Sequence, residues 1–122
     1  MPVINKWEND EQTIYSFIMR GEWDWPEYQQ TLARGYNEIA TIEHNVDVIY
    51  AYVSALPPGD AVQYMMLASE GQPANAYRSV IVNPGRDILR MIVGAIDDMR
   101  DWDGPQFVDS LDEARTYLTK TE

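Results

Sequence analysis

The chain reads as an α/β protein: a mixed, mostly parallel sheet of about five strands with an N-terminal β-hairpin and four helices. The order is β-β-α-β-α-β-α-β-α, in one domain spanning residues 1–122. Three observations predict this. After two opening strands, β-rich runs alternate with stretches of helical period, which implies parallel strands joined by right-handed crossovers. Helix starts are marked by capping residues at Asp24, Asn83 and Ser110, the first two followed by an early proline. The runs at 13–19 and 46–54 are apolar on both faces, as strands covered on both sides are.

Val3 to Trp7 and Thr13 to Met19 read as strands, and the polar cluster Glu8-Asn9-Asp10-Glu11-Gln12 between them is short enough for an antiparallel hairpin. In the second strand Ile14 and Ile18 point one way, and Tyr15, Phe17 and Met19 the other. Gly21-Glu22-Trp23 turns the chain into a helix with Asp24 as N-cap, Pro26 in the first turn and Glu27 where a capping box places it. Tyr28, Leu32, Tyr36 and Ile39 recur at helical spacing through about Ile42. Gly35 costs that helix about 1 kcal/mol relative to alanine unless close packing on the sheet requires it.

Val46 to Ser54 is the candidate central strand. Leu56-Pro57-Pro58-Gly59-Asp60 breaks it and opens a second helix carrying Val62, Met65, Met66 and Ser69 on or near one side, ended by Gly71-Gln72-Pro73. Tyr77 to Val82 is a short strand. Asn83 caps a third helix with Pro84 in its first turn, and its stripe is Ile88, Leu89, Ile92, Ala95, Ile96 and Met99. Asp103-Gly104-Pro105 stops it, Gln106 to Val108 is a brief strand, and Ser110-Leu111-Asp112-Glu113 is a capping box for a last helix burying Leu111, Ala114 and Leu118.

Composition narrows the functions. The 122 residues are 45% hydrophobic and 24% charged, which is globular rather than disordered. With no cysteine, disulfides, thiolate metal sites and cysteine nucleophiles are excluded; with one histidine, so is any mechanism needing two imidazoles. His44, among polar neighbours, is expected to be exposed and is no general base without a partner. The net charge of −11 repels nucleic acid and anionic lipid headgroups. The longest nearly apolar run, Val46 to Leu56, falls far short of the roughly 20 residues of a membrane helix. With no basic-then-apolar leader, the expected location is cytoplasmic.

Order and length together resemble the STAS domain and the SpoIIAA-like proteins, the fold of anti-sigma-factor antagonists. The stretches that carry the likeness are Gly21-Glu22-Trp23-Asp24-Trp25-Pro26-Glu27, Val46-Asp47-Val48-Ile49 leading to Leu56-Pro57-Pro58-Gly59, and Ser110-Leu111-Asp112-Glu113-Ala114-Arg115. They look most like a bacterial branch of SpoIIAA-like proteins. The resemblance implies a regulatory module that binds protein. Sigma-factor regulators of the family present a phosphorylatable serine at the start of the second helix, where free N–H groups and the helix dipole favour the phosphate. Here Pro58 falls in that place and has neither hydroxyl nor N–H, and Ala51 stands where such proteins often carry an aspartate. Ser54, a few residues upstream, reads as a strand-end serine rather than a displaced acceptor.

Other constellations have both a functional and a local reading. Asp97, Asp98, Asp101 and Asp103 could gather a hard cation, but the ligand set is incomplete and a solvated helix end is favoured, so no metal is expected. Glu22, Asp24 and Glu27 beside Trp23 and Trp25 have the ingredients of a sugar site, yet capping accounts for the acids and packing for the tryptophans. Asn83-Pro84-Gly85-Arg86 could hold an anion, although capping alone explains Asn83 and Pro84.

The strongest signal is Tyr64, Met65, Met66 and Leu67 in succession, more apolar surface than one helix face can hide, and of residue types that interfaces favour. The expectation is therefore a non-enzymatic module without cofactor that binds a protein partner or a second copy of itself. The docking residues would be Pro57, Pro58, Gly59, Asp60, Tyr64 and Met65. The alternative is a domain binding a small anion at the carboxyl ends of the strands through Ser54, Asn83 and Arg86.

Overall fold

The computed structural model describes residues 3–54, 56–82 and 106–119. Within them one sheet runs in the order β1 (Val3–Trp7), β2 (Ile14–Met19), β3 (Val46–Tyr52), β4 (Ala76–Val82) and β5 (Gln106–Val108). β1 is antiparallel to β2, and the other neighbouring pairs are parallel, so the sheet is mixed. Three helices are described: α1 (Trp25–Ala40), α2 (Ala61–Glu70) and α3 (Leu111–Thr119). The helix expected from Asn83 onward, with its apolar stripe and the Asp97–Asp103 carboxylates, lies outside the described residues. No helix among those described is long and apolar enough to cross a membrane.

The hairpin turns where Asn9 can satisfy the backbone. Its Oδ1 accepts from the Thr13 amide at 3.0 Å while its Nδ2 donates to Thr13 Oγ1 at 2.7 Å. Gln12 takes the left-handed conformation the turn needs (φ 57°), and its carbonyl accepts a hydrogen bond from Nε2 of the exposed His44 at 2.9 Å.

Strand alternation then sorts side chains into two cores. Tyr15, Phe17 and Met19 of β2 join Val48, Tyr50 and Tyr52 of β3 and Ile81 of β4 beneath α1 and α2. On the opposite face Ile14 and Ile18 join Ile49, Ala51, Val80, Val82 and Val108, covered by Ala114 and Leu118 of α3. Both faces of β2 and β3 are buried throughout, as their largely apolar runs require, with Ser16 and Asp47 the buried polar exceptions.

α1 buries the predicted Tyr28, Leu32, Tyr36 and Ile39, together with Trp25, Thr31 and Gly35. It ends at Ala40, where Thr41 caps it, two residues before the predicted Ile42. A Cβ on Gly35 would run into the Phe17 ring and stand 2.8 Å from Tyr15 Cε2, so the glycine is what lets this helix lie close on β2. The capping box is only half present. Asp24 Oδ1 accepts from the Glu27 amide at 2.8 Å, but the Glu27 carboxylate turns away and accepts from the Val3 amide at 3.1 Å. That bond satisfies a donor at the start of edge strand β1, a demand that exists only once the sheet has formed.

Two ion pairs fasten the second face. Asp47, buried on β3, holds Arg78 of β4 in a fork: Nε to Oδ1 at 3.1 Å and one terminal nitrogen to Oδ2 at 2.7 Å. The same carboxylate accepts from the Arg78 amide, and the guanidinium also donates to the Leu118 carbonyl at 3.2 Å. Glu8 accepts from Arg115 Nε at 2.9 Å and from Ser16 Oγ at 2.6 Å. Burial alone would raise the Glu8 pKa; the bonds from Ser16 and Arg115 and the charges of Arg115 and Lys6 outweigh it and hold the carboxyl below the usual glutamate range. α3 is thus tied down twice, by Arg115 near its middle and by the Leu118 carbonyl near its end. Ser110 caps it by accepting from the Glu113 amide at 3.1 Å. Ala114 and Leu118 are buried as predicted, whereas Leu111 is only half-buried, at the margin of the second core.

Candidate docking edge at the carboxyl ends of the strands

β2 and β3 run parallel, so their carboxyl ends open onto the same edge, where Arg20–Asp24 leads into α1 and Val53–Asp60 into α2. The two connections are tied together. The Val53 amide donates to the Met19 carbonyl at 2.9 Å, and Ser54 Oγ donates to the Gly21 carbonyl at 2.8 Å. Beyond them Pro57 is half-buried, while Pro58, Gly59 and Asp60 are exposed.

This exposed segment is stiff. Each proline fixes its own φ. Gly59 sits at φ 127°, a conformation L side chains rarely adopt, and a Cβ there would stand 3.2 Å from Trp25 Cδ1 and Nε1. Asp60 Oδ1 accepts from the Gln63 amide at 3.2 Å and starts α2. One turn on, the half-buried Tyr64 ring stacks on Trp25 with centroids 5.0 Å apart and planes 7° from parallel. Trp25 in turn meets Trp23 (5.1 Å, 79°) and Tyr28 (5.2 Å, 85°) edge to face. An aromatic wall therefore stands directly behind Gly59.

Trp23 and Trp25 are 7% and 3% exposed, so neither presents a ring face to a sugar; Asp24 and Glu27 serve the α1 cap and β1. Among the described residues neither buried indole N–H has an acceptor, which would cost about 1–3 kcal/mol for each left unsatisfied.

Deeper in the same core the tyrosine hydroxyls pair. Tyr28 and Tyr52 lie 2.9 Å apart and Tyr36 and Tyr50 2.7 Å apart, and Gln72 Nε2 donates to Tyr50 at 2.6 Å. Burial pushes the Tyr50 hydroxyl up to about 12, with the bonds from Tyr36 and Gln72 holding it back in part. Burial raises Tyr28, Tyr36 and Tyr52 as well. These hydroxyls stay protonated near neutral pH and serve as hydrogen-bonding cross-links between α1 and β3.

Four of the six docking residues predicted from sequence, Pro57, Pro58, Gly59 and Asp60, form one continuous segment, and Tyr64 lies against its base. Met65 is a correction. It is 5% exposed and is the one fully buried side chain of α2, because the turn of the helix that faces the sheet falls there. Its neighbour Leu67 is 49% exposed. For the anion alternative, the Ser54 hydroxyl is engaged with Gly21, and the Asp60 carboxylate stands at the start of α2, accepting from the Gln63 amide and placing a negative charge where an anion would otherwise bind. Asn83 and Arg86 lie outside the described residues. Among the described residues no three Asp, Glu or His side chains converge as metal ligands would.

Sequence reasoning missed the stack of Tyr64 on Trp25, since contact across 39 positions leaves no local trace. The tyrosine pairs did leave a signal: Tyr50 and Tyr52 share a strand face, and Tyr28 and Tyr36 share a helix face two turns apart. Comparison of the chain with protein-family models, curated proteins and solved structures finds no match.

Proposed function

We propose that this chain is a non-enzymatic, protein-binding regulatory module of the SpoIIAA-like/STAS type, and that it docks its partner on the edge from Pro57 to Tyr64. The observation that carries this reading is an exposed segment already fixed in shape. Two prolines, a glycine seated on Trp25 and the Asp60 cap leave little backbone freedom to lose on binding, which lowers the entropic cost of association. With Pro58 at the point where family regulators carry their phosphoacceptor, docking here is not switched by phosphorylation of that position.

The test compares two baits. Pro58→Arg adds bulk and charge to an exposed position without touching the Asp60 cap or the Trp25–Tyr64 stack, so its melting temperature is expected to match that of the unaltered chain. A protein retained by the unaltered bait and lost from the Pro58→Arg bait supports the edge. Identical retention by both baits contradicts it.

A further inference from the structure

The segment that leads into α2 has a defined backbone shape as well as an exposed place. Proline fixes its own φ, and a residue that precedes proline is held extended. Pro57 meets both restrictions at once, because Pro58 follows it, and Leu56 meets the second. The chain here is therefore confined to polyproline II geometry, which makes no internal hydrogen bonds. Among the described residues nothing donates to the carbonyls of Leu56, Pro57 or Pro58. Neither proline has an N–H, so the pair offers ring faces and acceptors but no backbone donor.

The charges around it have the same bias. Glu22, Asp24 and Asp60 are exposed, against one exposed base, Arg20, on the two connections. The Ser54–Gly21 bond and the seat of Gly59 on Trp25 hold those connections side by side, so the acids border the prolines. A second copy of this edge would set acids against acids and acceptors against acceptors. An added β-strand would find no N–H at either proline to pair with. What binds here has to bring donors. Polyproline segments are taken up by grooves lined with aromatic side chains. In such a groove Trp N–H and Tyr O–H groups supply donors while their rings pack on proline. Arg or Lys at the rim answers the carboxylates.

We propose that the partner of this edge is a protein with an aromatic-lined groove, basic at its rim, that receives Leu56–Pro58 as a polyproline II ligand. This rests on the docking edge proposed above and names the chemistry of what binds it. The test takes the protein retained by the unaltered bait and challenges it with a soluble polyproline peptide or a Gly/Ser peptide of equal length. Polyproline is expected to displace it and the Gly/Ser peptide is not. Calorimetry at low and high salt then compares the unaltered chain, Pro58→Ala and Glu22→Lys. Both substitutions lie at exposed positions, so melting temperatures are expected to stay close to that of the unaltered chain; if one variant melts early, the other still reads the groove. Pro58→Ala is expected to bind about fivefold or more weakly. Glu22→Lys is expected to bind about threefold or more weakly at low salt, with the gap closing as salt screens the charges. A protein lost from the Pro58→Arg bait yet indifferent to polyproline overturns this inference and leaves the edge standing. Affinity unchanged by Glu22→Lys overturns the basic rim. Equal retention by the Pro58→Arg bait, or nothing retained by either, removes the edge and this inference with it.

Discussion

Gly35 shows how one position can reverse a propensity. In an isolated helix, alanine is preferred to glycine by about 1 kcal/mol. Here the added methyl would strike Phe17, whose ring is stacked on Tyr50 (5.6 Å, 18°) and held edge to face by Tyr36 and Tyr15, so it cannot swing aside. Overpacking of this kind costs about 1–3 kcal/mol. Gly35→Ala is therefore expected to destabilise the fold by a net ~1 kcal/mol or more, read as a lower urea midpoint. A stabilised variant would mean that α1 does not lie this close to β2. Pro58 and Leu67 lie at the other extreme: exposed, with little effect on folding, and therefore suitable for surface tests that leave the core alone.

At the scale of elements, α3 is held by polar ties as well as by buried apolar contact. Its Ala114 and Leu118 are buried, but its fixed points are Arg115 on Glu8 and the Leu118 carbonyl on Arg78. Arg78 is in turn fixed by Asp47. Asp47→Ala removes the fork and the acceptor for the Arg78 amide together, at an expected cost of about 2–3 kcal/mol by chemical denaturation. Arg78→Lys keeps the charge but not the fork, and is expected to lose a large part of the same stability. If neither substitution moves the midpoint, α3 is held by its apolar contacts alone.

The same elements show where sequence was enough. β2 could be divided into faces because a strand has period two and each residue commits to a side. The Asp24 cap was legible because it acts within one turn, whereas the Glu27 carboxylate answers to β1, more than twenty residues away. The phase of α2 could not be read, because residues 61–68 are apolar in nearly every direction and only the sheet decides that Met65 points inward. The exposed edge at Pro57–Asp60 was predictable from its turn residues, but the aromatic support behind it was not.

For the molecule as a whole, the tyrosine network sets an alkaline limit. In the unfolded chain tyrosines ionise near pH 10. In the fold, burial holds Tyr15 and Tyr50 to about 12 and raises Tyr28, Tyr36 and Tyr52. Between those values the unfolded state loses protons that the folded state keeps, so stability falls as pH rises. Below about pH 10 this contribution is fully present, and above it the contribution is lost through roughly pH 12. Melting temperature should therefore decline steeply from about pH 10. The tyrosinate absorbance of these five residues should rise together with the loss of circular dichroism. Their ionisation in a still-folded protein would contradict the buried hydroxyl pairs.

One binding measurement tests the proposed docking edge, with the exposed Leu67 of α2 as a control position away from it. The partner recovered with the unaltered bait is titrated by calorimetry against the unaltered chain, Pro58→Arg and Leu67→Lys, each with its fold verified by melting. The account predicts affinity at least tenfold weaker for Pro58→Arg and little changed for Leu67→Lys. Binding of Pro58→Arg as tight as that of the unaltered chain would contradict the Pro57–Tyr64 edge as the working surface.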